Sequence, residues 1–159
     1  MKPHLHVLNK IEEYFIGIGI LIITLILFLN VVLRYVFNSS IEWAEEFTRY
    51  GVVWITFVGS SVCIYKGAHL GIDSLTTYLE KKGYTFHTII IHAVALIFSL
   101  LFLFFSFNIT MQVYESGQIS PNLGIPMVYV YAAMPVGGAL MSIRFIQQLL
   151  EGFSKRKEA

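Results

Sequence analysis

Charge is what this chain has least of. Only 13% of its 159 residues are Asp, Glu, Lys or Arg, and eleven cations against ten anions leave a net charge of +1. Such a balance offers none of the basic surface that nucleic-acid binding requires, so no nucleic-acid partner is expected. Cysteine is scarcer still. Cys63 stands alone, which excludes an internal disulfide and any cysteine-based metal or redox motif. Proline occurs four times, and no Pro-, Gly- or Ser-rich linker, repeat or low-complexity segment interrupts the chain. Residues 1–159 therefore read as a single domain.

What is there instead is apolar. Hydrophobic residues make up 56% of the chain and gather in four runs: 15–33, 50–65 and 116–143 carry no charge, and 83–114 carries only His87 and His92. A helix rises about 1.5 Å per residue, so about 20 such residues cross a hydrocarbon core of about 30 Å. A spanning barrel would instead show alternation in segments of about 10 residues. The reading is an all-α membrane protein with four transmembrane helices, near 12–35, 44–66, 84–114 and 126–149. The first run is too long for a signal-peptide core, and residues 30–34 offer no small-x-small cleavage site, so it is read as an uncleaved helix.

The cations set an orientation. Lys2, Lys10, Lys66, Lys81, Lys82, Arg144, Lys155, Arg156 and Lys157 fall on one side of the four spans, and only Arg34 and Arg49 on the other. The positive-inside rule then places both termini in the cytoplasm.

The connections carry the local detail. Ser39 stands three residues before Glu42, as in a capping box, so a helix is expected from Ile41, with an interfacial segment over 41–49. Along it Glu42, Glu45, Glu46 and Arg49 share one face, and Trp43, Phe47, Tyr50 and Trp54 line another. The spacing favours ion pairing of Arg49 with Glu45 or Glu46. Arg34, at the outer end of the first span, reads as a snorkelling cation or a partner for the same acids. On the inner side, Asp73, Lys81, Lys82 and Gly83 suggest a second interfacial helix over 73–82. The stretch Ser120, Pro121, Asn122, Leu123, Gly124, Ile125, Pro126 reads as a turn entering the last span. Pro135 should kink that span, and Gly137 and Gly138 should permit close helix approach. Gly59 with Cys63, and Gly138 with Ser142, offer small faces for contact within the chain or with a partner.

The centre of the spans looks empty of chemistry. A self-sufficient transporter keeps ionisable groups near the midplane, where a charge costs at least about 2.5–3.5 kcal/mol and is retained for use. Here Thr24, Ser60, Ser61, Ser99 and Ser106 are explained by hydrogen bonds to neighbouring turns or helices. That disfavours a stand-alone exporter. No catalytic residue, metal site or cofactor is expected, although His69, His87 and His92 leave open a haem- or quinone-bearing anchor of a redox complex.

Three blocks together resemble one family. Residues 30–37 (NVVLRYVF) with Trp43, Ala44, Glu45, Glu46, Arg49 and Tyr50 form the first. Lys66, Gly67, Ala68, His69 and Asp73 form the second. Ser120, Pro121, Leu123, Gly124, Ile125 and Pro126 with Tyr131 and Pro135 form the third. In this order, on a four-span frame, they resemble the small membrane subunit (DctQ type) of tripartite ATP-independent periplasmic (TRAP) transporters. The resemblance implies a non-enzymatic scaffold subunit in the cytoplasmic membrane of a bacterium or archaeon, in contact with membrane lipid. Its implied partners are a large multi-span transport subunit (DctM type) and a periplasmic substrate-binding protein. The cargo would be a small organic acid such as a C4-dicarboxylate or sialic acid, moved with sodium, and the substrate and sodium sites would lie on the large subunit. Candidate docking contacts are Arg34, Glu42, Trp43, Glu45, Glu46 and Arg49.

Overall fold

A computed structural model describes residues 3–66 and 85–158. Their helices, in chain order, are α1 (Pro3–Val36), α2 (Glu42–Tyr65), α3 (Thr85–Ser116), the short α4 (Val128–Tyr131) and α5 (Ala133–Glu158). Among the described residues four segments are long and apolar enough to cross a membrane: Asn9–Val36, Glu42–Ile64, Ile90–Ser116, and Val128–Leu150, the last formed by α4 and α5 together. Helices are the expected solution, because they satisfy every backbone polar group within the segment where no water is available. The short helix expected over 73–82 lies outside the described residues, as do Gly67, His69 and Asp73.

The helices form a row in which α1 lies against α2, α2 against α5, and α5 against α3. Two antiparallel hairpins, α1–α2 and α3–α5, thus meet along α2 and α5. Each outer helix has one contact seam. Between residues 9 and 31 the only α1 side chains not exposed are Asn9, Glu12, Ile16, Gly19, Ile23, Ile26 and Asn30. Their alternating spacing of three and four is that of a coiled-coil seam. It meshes with α2 through glycines: Ile23 sits over Gly51, where an added Cβ would lie 2.6 Å from Ile23 Cδ1, and Ile55 sits over Gly19. The remaining circumference of α1, including Leu21, Leu25 and Phe28, is exposed.

One local expectation is corrected. The capping box does not form: α2 begins at Glu42, its N-cap is Ile41, and no side chain caps it. Asn30 Oδ1 instead accepts the Ile41 N–H at 2.8 Å, tying the hairpin's connection back to α1. Asn38 turns the chain there with φ 48°, a conformation its short polar side chain tolerates. Residues 42–49 form the first two turns of α2 and continue without a break into the rest of the helix. In the last span the interruption comes ahead of Pro135, at Ala132 between α4 and α5. Proline has no N–H for the carbonyl four residues back, and that carbonyl, of Tyr131, accepts instead from Thr110 Oγ1 of α3 at 3.2 Å.

The small residues work within the chain. Gly138 packs on α3, where an added Cβ would be 3.2 Å from Leu103 Cα. One turn on, Ser142 Oγ lies 3.1 Å from Ser99 Oγ. Gly137 faces α2, where a Cβ would come within 2.7 Å of Phe57 Cβ and 3.0 Å of the Phe57 carbonyl oxygen. Gly137→Ala should therefore lose about 1–3 kcal/mol through forced separation of α2 and α5, outweighing the helix-propensity gain of about 1 kcal/mol. Gly17→Ala, where nothing lies within 4 Å, should keep that gain. Melting temperatures of the two variants in detergent should move in opposite directions, and equal shifts would remove the steric argument.

Candidate functional site

Among the described residues the buried charged groups gather where the hairpins meet, at the two ends of that interface. At the end reached by the connection between α3 and α4, the site is built on a tight loop. Ser120 N–H donates to the Ile125 carbonyl at 2.9 Å, and Met127 N–H to the Gln118 carbonyl at 2.9 Å, with an isolated bridge between Ile119 and Pro126. Gly117 and Gly124 take φ of 61° and 65°, values that glycine adopts without a Cβ clash. This folding points three donors at one place. Ser120 Oγ, Asn122 N–H and Leu123 N–H approach Glu46 Oε2 at 2.7, 3.1 and 2.9 Å. Glu46 is only 6% exposed. Successive backbone N–H groups of this kind form an anion-binding nest, and here the anion is the chain's own carboxylate.

Near the opposite end of α2 lies an ion pair. Arg144 Nη2 donates to Glu12 Oε2 at 3.0 Å, and the two residues are 3% and 4% exposed. Ser61 of α2 stands between them, 3.4 Å from both Glu12 oxygens and 3.4 Å from Arg144 Nε. Three helices therefore meet at one charged contact inside the candidate spans. Close by, Gln148 Nε2 donates to the Ile64 carbonyl at 3.0 Å, and the more exposed Lys66 pairs with Glu13 at 3.1 Å.

Between these ends an apolar groove of about 300 Å³ runs along α2, walled by Phe15, Gly19 and Ile22 of α1 on one side and by Leu123, Ile125 and Tyr129 on the other. Its aromatic polar atoms are already engaged: Trp54 Nε1 donates to the Tyr129 carbonyl at 3.1 Å, and the Tyr50 hydroxyl to Met127 Sδ at 3.4 Å.

The residues singled out from sequence divide accordingly. Arg34, Glu42, Trp43, Glu45 and Arg49 are exposed, with Trp43 edge-on to Phe47. Glu46 is not available to a partner, because it faces the loop. Among the described residues no ion pair joins Arg49 to Glu45 or Glu46; three converging donors of the nest take the Glu46 carboxylate. Ser120 and Gly124 serve that nest, Pro126 closes the loop, and Tyr131 and Pro135 frame the helix break.

Glu12 and Arg144 were not legible as a pair. Arg144 reads as one of the terminal cations, and Glu12 lies just outside the first charge-free run. The heptad seam carried the missing information, since Glu12 stands on it four residues before Ile16 and three after Asn9.

Comparison with known proteins adds an independent line. A family model described as "Tripartite ATP-independent periplasmic transporters, DctQ component" matches residues 23–155. The C4-dicarboxylate TRAP transporter small permease protein DctQ of Vibrio cholerae is 32% identical, over 87% of this chain and 69% of its own length. The sialic acid TRAP transporter permease protein SiaT of Haemophilus influenzae is 33% identical, over 94% of this chain and 24% of its own length. The ectoine TRAP transporter small permease protein TeaB of Halomonas elongata is 22% identical, over 94% of this chain and 77% of its own length.

Proposed function

Because the chain belongs to the DctQ family of TRAP-transporter small membrane subunits, we propose that it is the stationary scaffold beside a large transport subunit. A member of this family is a multi-pass inner-membrane transport subunit and not an enzyme. The relatives' names support the pairing. SiaT is called a permease, and an isethionate TRAP transporter permease protein DctMQ also contains a stretch like this chain as 23% of its length. In each, a segment similar to this chain is part of a much longer permease.

The observation that carries the scaffold reading is that Glu12, Ser61 and Arg144 are consumed by one another. Charged groups inside a span are ordinarily kept for a pathway; these join helices. Cargo recognition and sodium coupling then belong to the large subunit, and a periplasmic binding protein delivers a small organic acid. The relatives' names mention a C4-dicarboxylate, sialic acid, ectoine and isethionate, in keeping with a small organic acid as the cargo. The redox-anchor alternative finds no support in the comparisons.

With both termini in the cytoplasm, the exposed Arg34, Glu42, Trp43, Glu45 and Arg49 face the periplasm. Trp and Tyr side chains at this level resist displacement along the membrane normal, which suits a part that must stay still while another slides. We infer that the acids among them help dock the binding protein. Replacing Glu42 and Glu45 together by alanine should reduce uptake by membranes carrying the whole system, while co-purification with the large subunit is retained. Undiminished uptake would sink the docking role, and failure of the unaltered chain to co-purify with a multi-span transporter would sink the scaffold reading itself.

A further inference from the structure

The two hairpins touch most closely at one place and are tied by charge at two others. The close place is Gly137 of α5 against Phe57 of α2, where the backbones leave no room for a methyl group. The ties are Glu46 in its nest and Glu12 on Arg144. Each carboxylate comes from the α1–α2 hairpin, and each receiving group comes from the α3–α5 hairpin. We propose that these contacts form a rocker held shut: Gly137 and Phe57 are the fulcrum, and the two carboxylates are clasps that keep the hairpins from pivoting. The proposal rests on the scaffold reading and names the device that makes such a scaffold rigid.

The leverage follows from helix geometry. Glu46 lies eleven residues from Phe57 and Ser61 four residues from it on the other side, which places the clasps about 16 Å and about 6 Å from the fulcrum. A rocking of about 10° would carry the outer clasp about 3 Å, enough to part bonds of 2.7–3.1 Å. Resistance is therefore greatest where the lever arm is longest. The clasps lie on opposite sides of the fulcrum, so a pivot in either direction strains both. Between them the contact is apolar, with Phe57 stacked on Phe102 at 5.8 Å, and such packing slides more readily than a directed charge-assisted bond breaks. Neither carboxylate is on the exposed patch, so the clasps act through the position of other residues and not by touching a partner.

The test measures the pivot directly. Spin labels at the exposed positions Tyr35 and Tyr114 report the outer ends of the two hairpins, and labels at Ile11 and Leu150 the inner ends, both in a Cys63→Ala background. Distance distributions are recorded on the purified subunit for the parent, for Glu46→Ala, and for Glu12→Leu combined with Arg144→Met. The combined variant removes both members of the Glu12–Arg144 pair together, which costs less than loss of one partner. One narrow distribution is expected in the parent, an added population shifted by about 3 Å at the outer ends in the Glu46 variant, and a shift of about 1 Å, seen as broadening, at the inner ends in the combined variant. The same variants should co-purify with the large subunit at parental yield while uptake falls severalfold. Narrow distributions in both variants overturn the proposal, as do broad ones with undiminished uptake. Loss of co-purification by the parent would bring down the scaffold reading alone, because the distances are measured without the large subunit.

Discussion

Arg144→Ala and Glu12→Ala are each expected to cost about 3–5 kcal/mol, because each breaks a buried ion pair that joins three helices. Glu12 and Arg144 are only 4% and 3% exposed, so water does little to replace the lost contact, and Ser61 offers each of them a hydroxyl. The double replacement Glu12→Leu with Arg144→Met should recover most of the loss, since two apolar side chains of similar length remove both desolvated charges at once. The measurement is a double-mutant cycle on melting temperature in detergent, paired with steady-state amounts in the membrane. Losses that simply add would mean that the two residues act separately, contrary to the 3.0 Å contact.

The second large effect is expected at Glu46. Glu46→Ala removes the acceptor of three donors at once. Asn122 and Leu123 would then present backbone N–H groups with no carboxylate to receive them. Bonds to a charged acceptor contribute about 1.5–3 kcal/mol each, and partial rehydration of the loop should hold the net loss to about 2–4 kcal/mol. Glu46→Gln keeps an acceptor oxygen of the same reach and should lose clearly less. Limited proteolysis locates the damage: cleavage within 117–127 should accelerate in the alanine variant before cleavage elsewhere. Uniform acceleration along the chain would show that Glu46 supports the whole fold and not that loop. Ser120→Ala, which removes one donor and leaves both N–H groups in place, should fall between parent and Glu46→Ala.

How much of this was legible in the sequence depends on the range over which each signal acts. The four spans were legible because hydrocarbon allows so few alternatives to a long apolar helix. The turn through Ser120, Gly124 and Pro126 was legible too, since glycine and proline restrict the backbone locally. What the turn was for was not, because the group it holds lies 74 residues away in sequence from Ser120. Glu46 misled for a related reason. Helical spacing offered it Arg49 as a neighbour, and a nearby surface cation is a weak competitor against three converging donors. Ser39 and Glu42 fit a capping pattern, yet the Ser39 N–H goes to the Leu33 carbonyl, and Asn30 holds the Ile41 N–H from eleven residues upstream. Arg144 was misplaced because counting cations for topology treats each as solvated, and nothing in its own neighbourhood of Gln147 and Gln148 marks it as buried.

The division of charge between the hairpins also bears on what the chain does while it is being made. Glu12 and Glu46 emerge from the ribosome first, and Ser120 and Arg144 only later. Until then the first hairpin sits in the membrane with two acids seeking donors. A second copy of that hairpin is a poor substitute, because it would bring acid against acid. The later hairpin of the same molecule brings a guanidinium and an ordered loop of N–H groups. The contacts that complete Glu12 and Glu46 in the folded protein thus form only after the second half of the chain has been made.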